Sequence, residues 1–498
     1  MPPRSSLTTE QLTAACSPES RLLVVASPGC GKTTIAAERF GFHRYDPRGD
    51  HRRCLALSFT RAATAELQRR IRGRWGPSAL SWPHRAMTLD ALHVDLVEWL
   101  LRSGSVQWPN GHTSLTVEDS WRGWQGVRRL TDGQYAARPV LRDGAVLARS
   151  VRHRGIPITR IGTVGDLREH FEAGRCSHLE AREILGIALQ DAGLRAALGD
   201  ELCRTTRAII VDEVFDGNEV DLGVVSLAAD AGISVSLIGD PWQAVYEFRG
   251  ADPVSTGRQL QDAGFGRVDV QTSFRFRTEH MRAQAALLRS RAPCSLRAEV
   301  AEKCDVVLAS EWETLWGCDS MVLPLSFGTV RNQTDAALLV LLDHVTMRRF
   351  GRPAVYISDA HAFLRLAGVV SQEELEAAAA GMVSDLLDHG GPTAGALDRW
   401  RSDLRRIGSP AQLRRLDAES EADRVEKLHL LAERLASSRS VPGMTVHQAK
   451  GGEWPRVGLR LNDYEANHLA VGLDPHLEAD RVVYVAGTRA MDDLWSVS

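Results

Sequence analysis

The sequence predicts an α/β protein with two parallel-sheet cores and two insertions. Short apolar runs rich in β-branched residues recur along the chain, with helical stretches between them, and this alternation is typical of buried parallel strands. The runs fall on both sides of residue 275, so we expect two cores rather than one. The predicted strands are Leu22–Ala26, Cys54–Phe59, Ala208–Val211, Val235–Ile238, Met321–Leu325, Ala354–Ile357, Val457–Leu461 and Val482–Val485.

The first core is predicted to consist of residues 1–100 and 207–265. The intervening segment, 101–206, is polar, rich in Gly, Arg and Trp, and ends in a helical pattern over Leu179–Leu198. We interpret it as an inserted accessory domain.

The second core is predicted to consist of residues 266–371 and 439–498. Between them, residues 372–438 have an almost purely helical composition, with helices expected over Glu373–Leu387 and Ala422–Leu435. We interpret this segment as a small helical insertion.

The overall composition is that of an ordinary globular protein. Among 498 residues, 60 Lys+Arg oppose 63 Asp+Glu, which gives a net charge of −3. That charge provides no general attraction to a polyanion, so any contact with nucleic acid must come from a local groove. The start of the chain lacks the pattern of a signal peptide, and no window approaches 18 uninterrupted apolar residues, so we predict a cytoplasmic protein with no membrane partner.

The eight cysteines are scattered and contain no C-x-x-C pair, which predicts reduced thiols. A metal or iron–sulfur site on Cys294, Cys304 and Cys318 is the less favoured alternative because the spacing is irregular.

A phosphate-binding loop follows the first predicted strand and precedes a helical stretch. Gly29 and Gly31 allow backbone N–H groups to close around phosphate oxygens, Lys32 reaches the β- and γ-phosphates, and the Thr33 hydroxyl is a predicted Mg²⁺ ligand. A plain glycine turn before a helix is the alternative. The loop reads Ala26-Ser27-Pro28-Gly29-Cys30-Gly31-Lys32-Thr33-Thr34.

Two acidic residues follow the apolar run Ala208–Val211, at the strand end where α/β sheets bind ligands. Asp212 is predicted to hold Mg²⁺ and Glu213 to orient or deprotonate the attacking water. A strand ending in two solvated acids is the alternative, but the combination with Lys32 favours an ATP site.

With these two motifs, the chain resembles the UvrD/Rep/PcrA-like superfamily 1 DNA helicases. The similarity continues, in the same order of motifs, along nearly the whole sequence. The resemblance implies two RecA-like domains with ATP bound in the cleft between them. It assigns adenine contacts to Gln11 and Phe274, γ-phosphate contacts to Gln243, Arg275 and Arg489, and a further nucleotide contact to Glu453. It implies DNA contacts at Phe59, Thr60, Thr88, Tyr246, Phe248, Arg249, Thr445 and His447.

Ala26 stands where the general phosphate-loop motif has its first glycine. Three departures from the family pattern are visible: Phe215 stands where the acid motif has Gln, Phe248 replaces a customary Trp, and the segment between Arg275 and Thr445 is short. The helical insertion is therefore interpreted as a reduced accessory domain.

The resemblance implies an ATP- and Mg²⁺-dependent translocase or helicase that acts in the 3′ to 5′ direction on single-stranded DNA or tailed duplexes. The alternative is a DNA-activated ATPase that regulates a partner nuclease, as in anti-phage systems of the Gabija type, where compact relatives of this size occur. A third reading, a small-metabolite kinase, explains Lys32 and Asp212 but leaves Arg275 and Arg489 without a role.

Overall fold

The computed structural model of the chain describes residues 7–47, 49–118, 135–152, 164–247, 250–366 and 368–498. The chain divides into two compact units, Met1–Phe274 and Arg275–Ser498.

The first unit is built on a six-stranded sheet in which every pair of neighbouring strands is parallel. Its strand order is β10-β1-β9-β8-β2-β3, with register pairs such as Val24↔Ile238 and Leu57↔Val211. The strands of this unit are β1 (Arg21–Ala26), β2 (Arg53–Ser58), β3 (Arg85–Thr88), β4 (Thr116–Val117), β5 (Tyr135–Arg142), β6 (Ala145–Arg152), β7 (Arg175–Cys176), β8 (Thr206–Asp212), β9 (Ser234–Gly239) and β10 (Gly266–Val270).

Helices cover both faces of this sheet. Residues such as Ile35 and Ile71 bury one face, and residues such as Leu92 and Val225 bury the other, which is the usual way of covering a parallel sheet. The helices are α1 (Thr9–Cys16), α2 (Lys32–Arg44), α3 (Arg61–Trp75), α4 (Leu89–Arg102), α5 (Val164–Glu172), α6 (His178–Gln190), α7 (Ala192–Thr205), α8 (Glu219–Asp230) and α9 (Pro253–Asp262).

The region predicted as the first insertion shares the apolar core of this unit. Ile184 of α6 and Leu198 of α7 belong to the same buried cluster as Leu55 and Val211 of the sheet. The predicted helix Leu179–Leu198 is two helices, because Asp191 leaves helical geometry and accepts a hydrogen bond from the Leu194 N–H at 2.9 Å to begin the second. The described part of the region also contains helix α5, a β5–β6 hairpin and the short parallel pair β4–β7.

The second unit contains a five-stranded parallel sheet in the order β12-β13-β11-β14-β15. Its elements are β11 (Val306–Ala309), β12 (Val322–Pro324), β13 (Val441–Thr445), β14 (Trp454–Leu459) and β15 (Ala490–Ser496), with α10 (Glu279–Arg289), α11 (Trp312–Trp316), α12 (Gln333–Phe350), α13 (Ile357–Leu364), α14 (Gln372–Asp388), α15 (Ala396–Arg406), α16 (Ala418–Ala436), α17 (Val446–Ala449), α18 (Asp463–Val471) and α19 (Glu478–Gly487). The predicted fold class, two α/β domains with parallel sheets, is therefore confirmed.

The boundary between the units lies at Phe274 rather than at residue 265. The difference arises because β10 pairs with β1 through Val24↔Val268 and is the edge strand of the first sheet.

Two predicted strands are wrong. Ile357 begins helix α13, and the preceding residues 354–356 contain no strand. Val482–Val485 is the buried middle of helix α19. A four-residue apolar run fits a buried helix as well as a buried strand, so periodicity alone could not decide between them.

Because residues 354–357 do not form the predicted strand, the helical insertion is longer than predicted. Residues 325–440 connect β12 to β13, which are neighbours in the sheet. The five helices α12 to α16 lie in this connection and share one apolar cluster that includes Leu341, Leu386, Trp400 and Leu431. The predicted helices within 372–438 are present as α14 and α16.

All eight cysteines are free thiols. None of the helices in the described part of the chain combines the length and the apolar character needed to cross a bilayer.

Candidate active site

The phosphate-loop residues lie between β1 and α2, and two glycines adopt the left-handed backbone that the turn requires. Gly29 has φ +76° and Gly31, the residue before α2, has φ +79°. A Cβ at Gly31 would also approach Gln11 Nε2 to 2.9 Å. Glycine is therefore needed at position 31 for both its backbone conformation and its lack of a side chain.

The sheet order brings three strand ends together. β1, β9 and β8 are consecutive, so the segments that follow Ala26, Gly239 and Val211 lie at one carboxyl edge. Lys32 Nζ donates to Gln243 Oε1 at 3.1 Å and lies 3.6 Å from Glu213 Oε1. Three predicted catalytic residues from distant parts of the sequence are thus in direct contact.

Asp212 is buried at the end of β8. Its burial, reinforced by the neighbouring Glu213 carboxylate, raises the pKa of Asp212 above that of an ordinary aspartate, while the Thr33 hydroxyl donates a hydrogen bond to it. Within the described residues, Asp212 Oδ1 has no hydrogen-bond partner. A buried carboxylate oxygen left without a donor, beside a threonine hydroxyl, is suited to Mg²⁺, so these residues fit the predicted metal.

Glu213 has an unusual backbone for a residue with a side chain, at φ +63° and ψ 42°. Such conformations are costly and concentrate at functional positions. The residue begins the short turn Val214–Asp216, and this turn directs the Glu213 carboxylate toward Lys32.

The sequence prediction missed Asp240. Its Oδ2 accepts a hydrogen bond from Gln243 Nε2 at 3.1 Å, and its Oδ1 accepts one from the Trp242 N–H at 3.2 Å. Asp240 therefore orients the Gln243 amide so that its oxygen faces Lys32. Its position directly after an apolar strand, as with Asp212, was the available signal.

Phe215, the departure in the acid motif, is a buried packing residue. A Cβ at Gly239 would lie 2.8 Å from Phe215 Cδ2, so the ring fills the space that glycine leaves at the end of β9. An apolar contact between the turn after β8 and the end of β9 stands where the family pattern predicts a polar residue.

The residues predicted to contact adenine lie beside the loop. Gln11 donates from Nε2 to the Cys30 carbonyl at 2.9 Å, and its Oε1 accepts from the Thr8 N–H at 3.1 Å. The Phe274 N–H donates to the Gly29 carbonyl at 3.0 Å, while its ring is 59% exposed and free to stack.

The remaining loop residues have structural contacts. The Pro28 carbonyl accepts a hydrogen bond from Ser273 Oγ at 2.8 Å. Thr34 accepts one from Arg70, which the sequence prediction did not consider and which also lowers the pKa of Asp212 slightly through its charge.

Two of the predicted DNA contacts begin helices. The Thr60 and Thr88 hydroxyls accept from the N–H groups of Ala63 and Ala91, both at 3.1 Å. Ser58 and Thr88 are register partners in β2 and β3, so both helix starts lie at the same carboxyl edge as the phosphate loop.

Phe59 packs against the apolar core and is half-buried, as is Tyr246. Phe248 and Arg249 lie outside the described residues. The DNA-binding role of all these residues stays a prediction.

In the second unit, Arg275 donates from Nε and Nη2 to Glu453 Oε1 at 2.9 and 2.7 Å, and from Nη1 to the Thr488 carbonyl at 2.6 Å. Arg489 is the next residue, is buried, and donates from Nε to the Val485 carbonyl at 3.0 Å. The structure thus brings Arg275, Glu453 and Arg489 together.

The predicted DNA residues of this unit lie at the end of β13. Thr445 is buried at the start of α17, and His447 within that helix is half-buried.

Curated proteins that are named as DNA helicases match about half of the chain. It is 25% identical over 269 residues to the putative ATP-dependent DNA helicase YjcD of Bacillus subtilis, covering 50% of this chain and 34% of that one. It is 24% identical over 295 residues to DNA helicase II of Escherichia coli, covering 57% and 40% respectively. It is 22% identical over 273 residues to the ATP-dependent DNA helicase PcrA of Staphylococcus aureus, covering 49% and 34%. The matched region is therefore well under half the length of each of these relatives.

A solved structure titled for DNA unwinding at forked duplexes by two coordinating Pif1 helicases matches 62% of this chain and 55% of its own, with TM-score 0.27 and 12% identity.

Two family descriptions match the chain in the regions that carry the site. The UvrD/REP helicase N-terminal domain matches residues 7–112 and 176–262, and the UvrD-like helicase C-terminal domain matches residues 418–498. Together they cover more than half of the sequence and contain every catalytic residue named above except Arg275. The chain belongs to the UvrD-like helicase family.

Proposed function

We propose that this protein is an ATP-dependent translocase or helicase acting on single-stranded DNA or on duplexes with a single-stranded tail. The observation that supports this most directly is the contact of Lys32 with both Gln243 and Glu213, beside the Thr33–Asp212 pair. It assembles a phosphate ligand, a γ-phosphate sensor, a candidate general base and a metal-binding acid in a chain of the UvrD-like family.

In the proposed reaction, Lys32 exchanges its contacts with Gln243 and Glu213 for phosphate oxygens of ATP. Released from Lys32, the Glu213 carboxylate orients a water molecule for in-line attack on the γ-phosphorus and accepts its proton. The water oxygen forms a bond to phosphorus as the bond to the ADP oxygen breaks, which yields ADP and phosphate. Gln243, held by Asp240, hydrogen-bonds the γ-phosphate before the reaction and loses that partner afterwards.

Thr33 and Asp212 are the residues proposed to hold Mg²⁺. When bound, the metal ion neutralises charge on the β- and γ-phosphates. Asp212 would hold the metal ion as a carboxylate, the form that its burial disfavours.

Arg275 and Arg489 are the proposed cations that stabilise charge developing on the γ-phosphoryl group. Arg275 already uses three of its donor groups on Glu453 and the Thr488 carbonyl. We propose that Arg275 exchanges the Glu453 carboxylate for phosphate oxygens when ATP binds and returns to Glu453 after hydrolysis. Such an exchange, repeated once in each ATP cycle, supplies the change of state that a motor needs.

We further propose that DNA is bound without sequence readout and that movement runs in the 3′ to 5′ direction, as in the resembled family. Half-buried aromatic rings at Phe59 and Tyr246 suit stacking on any base. The helix starts at Thr60 and Thr88 present backbone N–H groups near the same sheet edge, where phosphates are favoured.

The test is steady-state phosphate release by the purified chain with and without single-stranded DNA, followed by unwinding of matched duplexes that carry a 3′ or a 5′ tail. We expect stimulation by DNA and unwinding of the 3′-tailed substrate only. A chain whose ATPase ignores DNA contradicts the proposal, and preference for the 5′ tail contradicts its direction. Lys32→Ala is the control for contaminating ATPases.

A DNA-activated ATPase that drives a partner nuclease is the second candidate. An open groove of about 540 Å³ in the helical insertion favours it, with the exposed Leu387 beside the buried Leu386 and Ala432. If DNA stimulates the ATPase of the chain but the chain unwinds tailed duplexes only when a partner nuclease is added, this candidate replaces the first. Unwinding by the chain alone decides for the helicase.

A further inference from the structure

A cluster of buried and half-buried charged side chains lies in the first unit, outside the proposed hydrolytic site. Its members, the charge cluster, line or adjoin a cavity of about 10 Å³, roughly the space for one water molecule. They are Asp90, His93, Arg182, Asp216 and Asp221. The proposed ATP chemistry gives none of them a role.

The contacts form a continuous chain across the cluster. Arg182 Nη2 donates to Asp90 Oδ1. His93 is fully buried, with Nδ1 4.0 Å from the same Asp90 oxygen and Nε2 3.2 Å from Asp221 Oδ1. Arg182 thus pairs with Asp90, and the His93 ring lies between Asp90 and Asp221.

One end of this chain reaches the turn that holds Glu213. Asp221 Oδ2 accepts a hydrogen bond from the Asn218 N–H at 2.9 Å, and Asn218 begins helix α8 directly after the turn. Within that turn, the Asp216 N–H donates to the Glu213 carbonyl at 2.9 Å. A displacement of Asp221 would thus act on the segment that keeps Glu213 in its left-handed conformation.

The other end reaches the segments predicted to contact DNA. Asp90 lies in the first turn of α4, two residues after Thr88, and Phe59 lines the same cavity. A Cβ at Gly217 would lie 3.4 Å from Phe59 Cζ, so this ring also borders the turn after Glu213. Arg182 comes from α6, near the start of the second matched part of the N-terminal family domain.

The energetics make the arrangement sensitive to its members. In a water-poor environment, removing one ion of a network leaves the others unpaired and forces them to move or to recruit water. Loss of the Arg182 charge leaves Asp90 facing His93, whose other nitrogen contacts Asp221. The network therefore links the Asp90 end to the turn, and removing Arg182 breaks that link without touching Glu213 itself.

We propose that Arg182 and His93 are positioning residues that couple DNA occupancy at the Phe59 and Thr88 segments to the orientation of Glu213. The inference deepens the proposed function and rests on it, because it concerns how DNA stimulates ATP hydrolysis. Neither residue is expected to touch ATP.

The test compares basal and DNA-stimulated ATPase of the full chain carrying Arg182→Gln or His93→Gln. We expect basal kcat and the KM for ATP to stay close to those of the unsubstituted chain. The ratio of stimulated to basal kcat should fall at least about fivefold, the lower end of coupling between sites. Arg182→Lys, which keeps the charge, should restore part of the stimulation.

The double variant supplies a second measurement. Because the two residues belong to one chain of contacts, Arg182→Gln and His93→Gln together should lower the ratio no more than either alone. Arg204→Gln is the matched control, since Arg204 lies on the neighbouring helix α7 in an ion pair with Glu201 and is 72% exposed. It should leave the ratio unchanged.

Each result decides the question. Full stimulation in Arg182→Gln overturns the coupling role, and so does a proportional fall in basal and stimulated rates together with a lower melting temperature, which indicates structural damage alone. A parent chain that DNA does not stimulate contradicts the proposed function itself, and the inference fails with it.

Discussion

The two sets of predicted catalytic residues are held in different ways. In the first unit, Lys32 contacts both Gln243 and Glu213, and Asp240 accepts a hydrogen bond from Gln243. In the second unit, Arg275 is 8% exposed and is neutralised by Glu453, which is 43% exposed. The first set is a preorganised network, whereas the second contains a charge pair with one partner open to solvent.

The difference predicts separate roles for the two sets of residues: the first binds phosphate, and the second changes its ion-pair partner. Residues fixed by several strand ends can receive a phosphate with little rearrangement, which favours tight binding. An arginine in a pair with a partly exposed carboxylate can exchange that partner for another anion, because the released carboxylate is hydrated by solvent. We therefore expect substitutions in the first unit to abolish binding or chemistry, and those in the second unit to uncouple them.

The largest effect is expected for Lys32→Ala. Loss of the phosphate ligand should reduce ATP hydrolysis by on the order of 10³-fold or more, to the background of the assay. The melting temperature should change little, because Lys32 pairs with residues of the site rather than with the apolar core. Lys303→Ala, at an exposed lysine paired with Glu299, is the control and should retain full activity.

Arg275→Ala and Arg489→Ala should each lower kcat by on the order of 10³-fold while ATP still binds, as loss of an arginine finger does. Nucleotide affinity measured alongside turnover separates this result from a binding defect. Arg277→Ala is the matched control, since the Arg277 side chain is 58% exposed and its ion pair with Asp492 is long, at 3.7 Å. Equal losses at all three positions would mean that structural arginines have been mistaken for catalytic ones.

Glu213→Gln should lower turnover by about 10²-fold or more, since it removes the carboxylate that orients and deprotonates water. Asp212 remains available for Mg²⁺, so ATP should still bind and the chain should accumulate in an ATP-loaded, DNA-bound state. Gel-shift or anisotropy measurements with ATP would detect that state. Glu219→Gln, at an exposed residue in the first turn of α8, should behave as the unsubstituted chain.

Asp240→Ala should have a smaller effect, a loss of about tenfold in kcat, because it removes one buried hydrogen bond to Gln243 rather than a group that touches phosphate. The same kcat measurements on Gln243→Ala and on the double variant test whether Asp240 acts through Gln243. If Asp240 acts through Gln243, the double variant should be no slower than Gln243→Ala. Asp262→Ala, at an exposed site, is the control.

The smallest effect concerns stability against pH. Burial raises the pKa of Asp212 in the folded chain, so the folded state retains a proton that the unfolded state releases above about pH 4. As pH rises from there through the raised pKa, the free energy of unfolding of the metal-free chain should fall relative to that of Asp212→Asn. Denaturant titrations at several pH values measure the difference, which we expect to be on the order of 1 kcal/mol or more. A constant difference would contradict the raised pKa.

Much of the first site was predictable because its residues lie in short local motifs. Gly29, Gly31 and Lys32 are adjacent in sequence, and Asp212 and Glu213 end an apolar run, so both halves could be recognised before their contact was known. Asp240 obeyed the same rule after β9 and could have been found. The exchange of a polar for an apolar contact at Phe215 could not, since its partner Gly239 has no side chain to signal packing.

The sequence by itself determined strands β1, β2, β8 and β9 of the first sheet, the two motifs of the proposed ATP site and the helices α14 and α16. These features depend on local backbone preferences and on periodicity within one element. The tertiary structure decided which apolar runs became helices, as at Val482–Val485, and it set the length of the insertion between β12 and β13. It also decided that Arg182, Asp90, His93 and Asp221 meet. These residues come from three helices that are distant in sequence: α4, α6 and α8. Pairing of buried charges depends on which helices pack side by side, and that depends on the whole sheet rather than on any one segment.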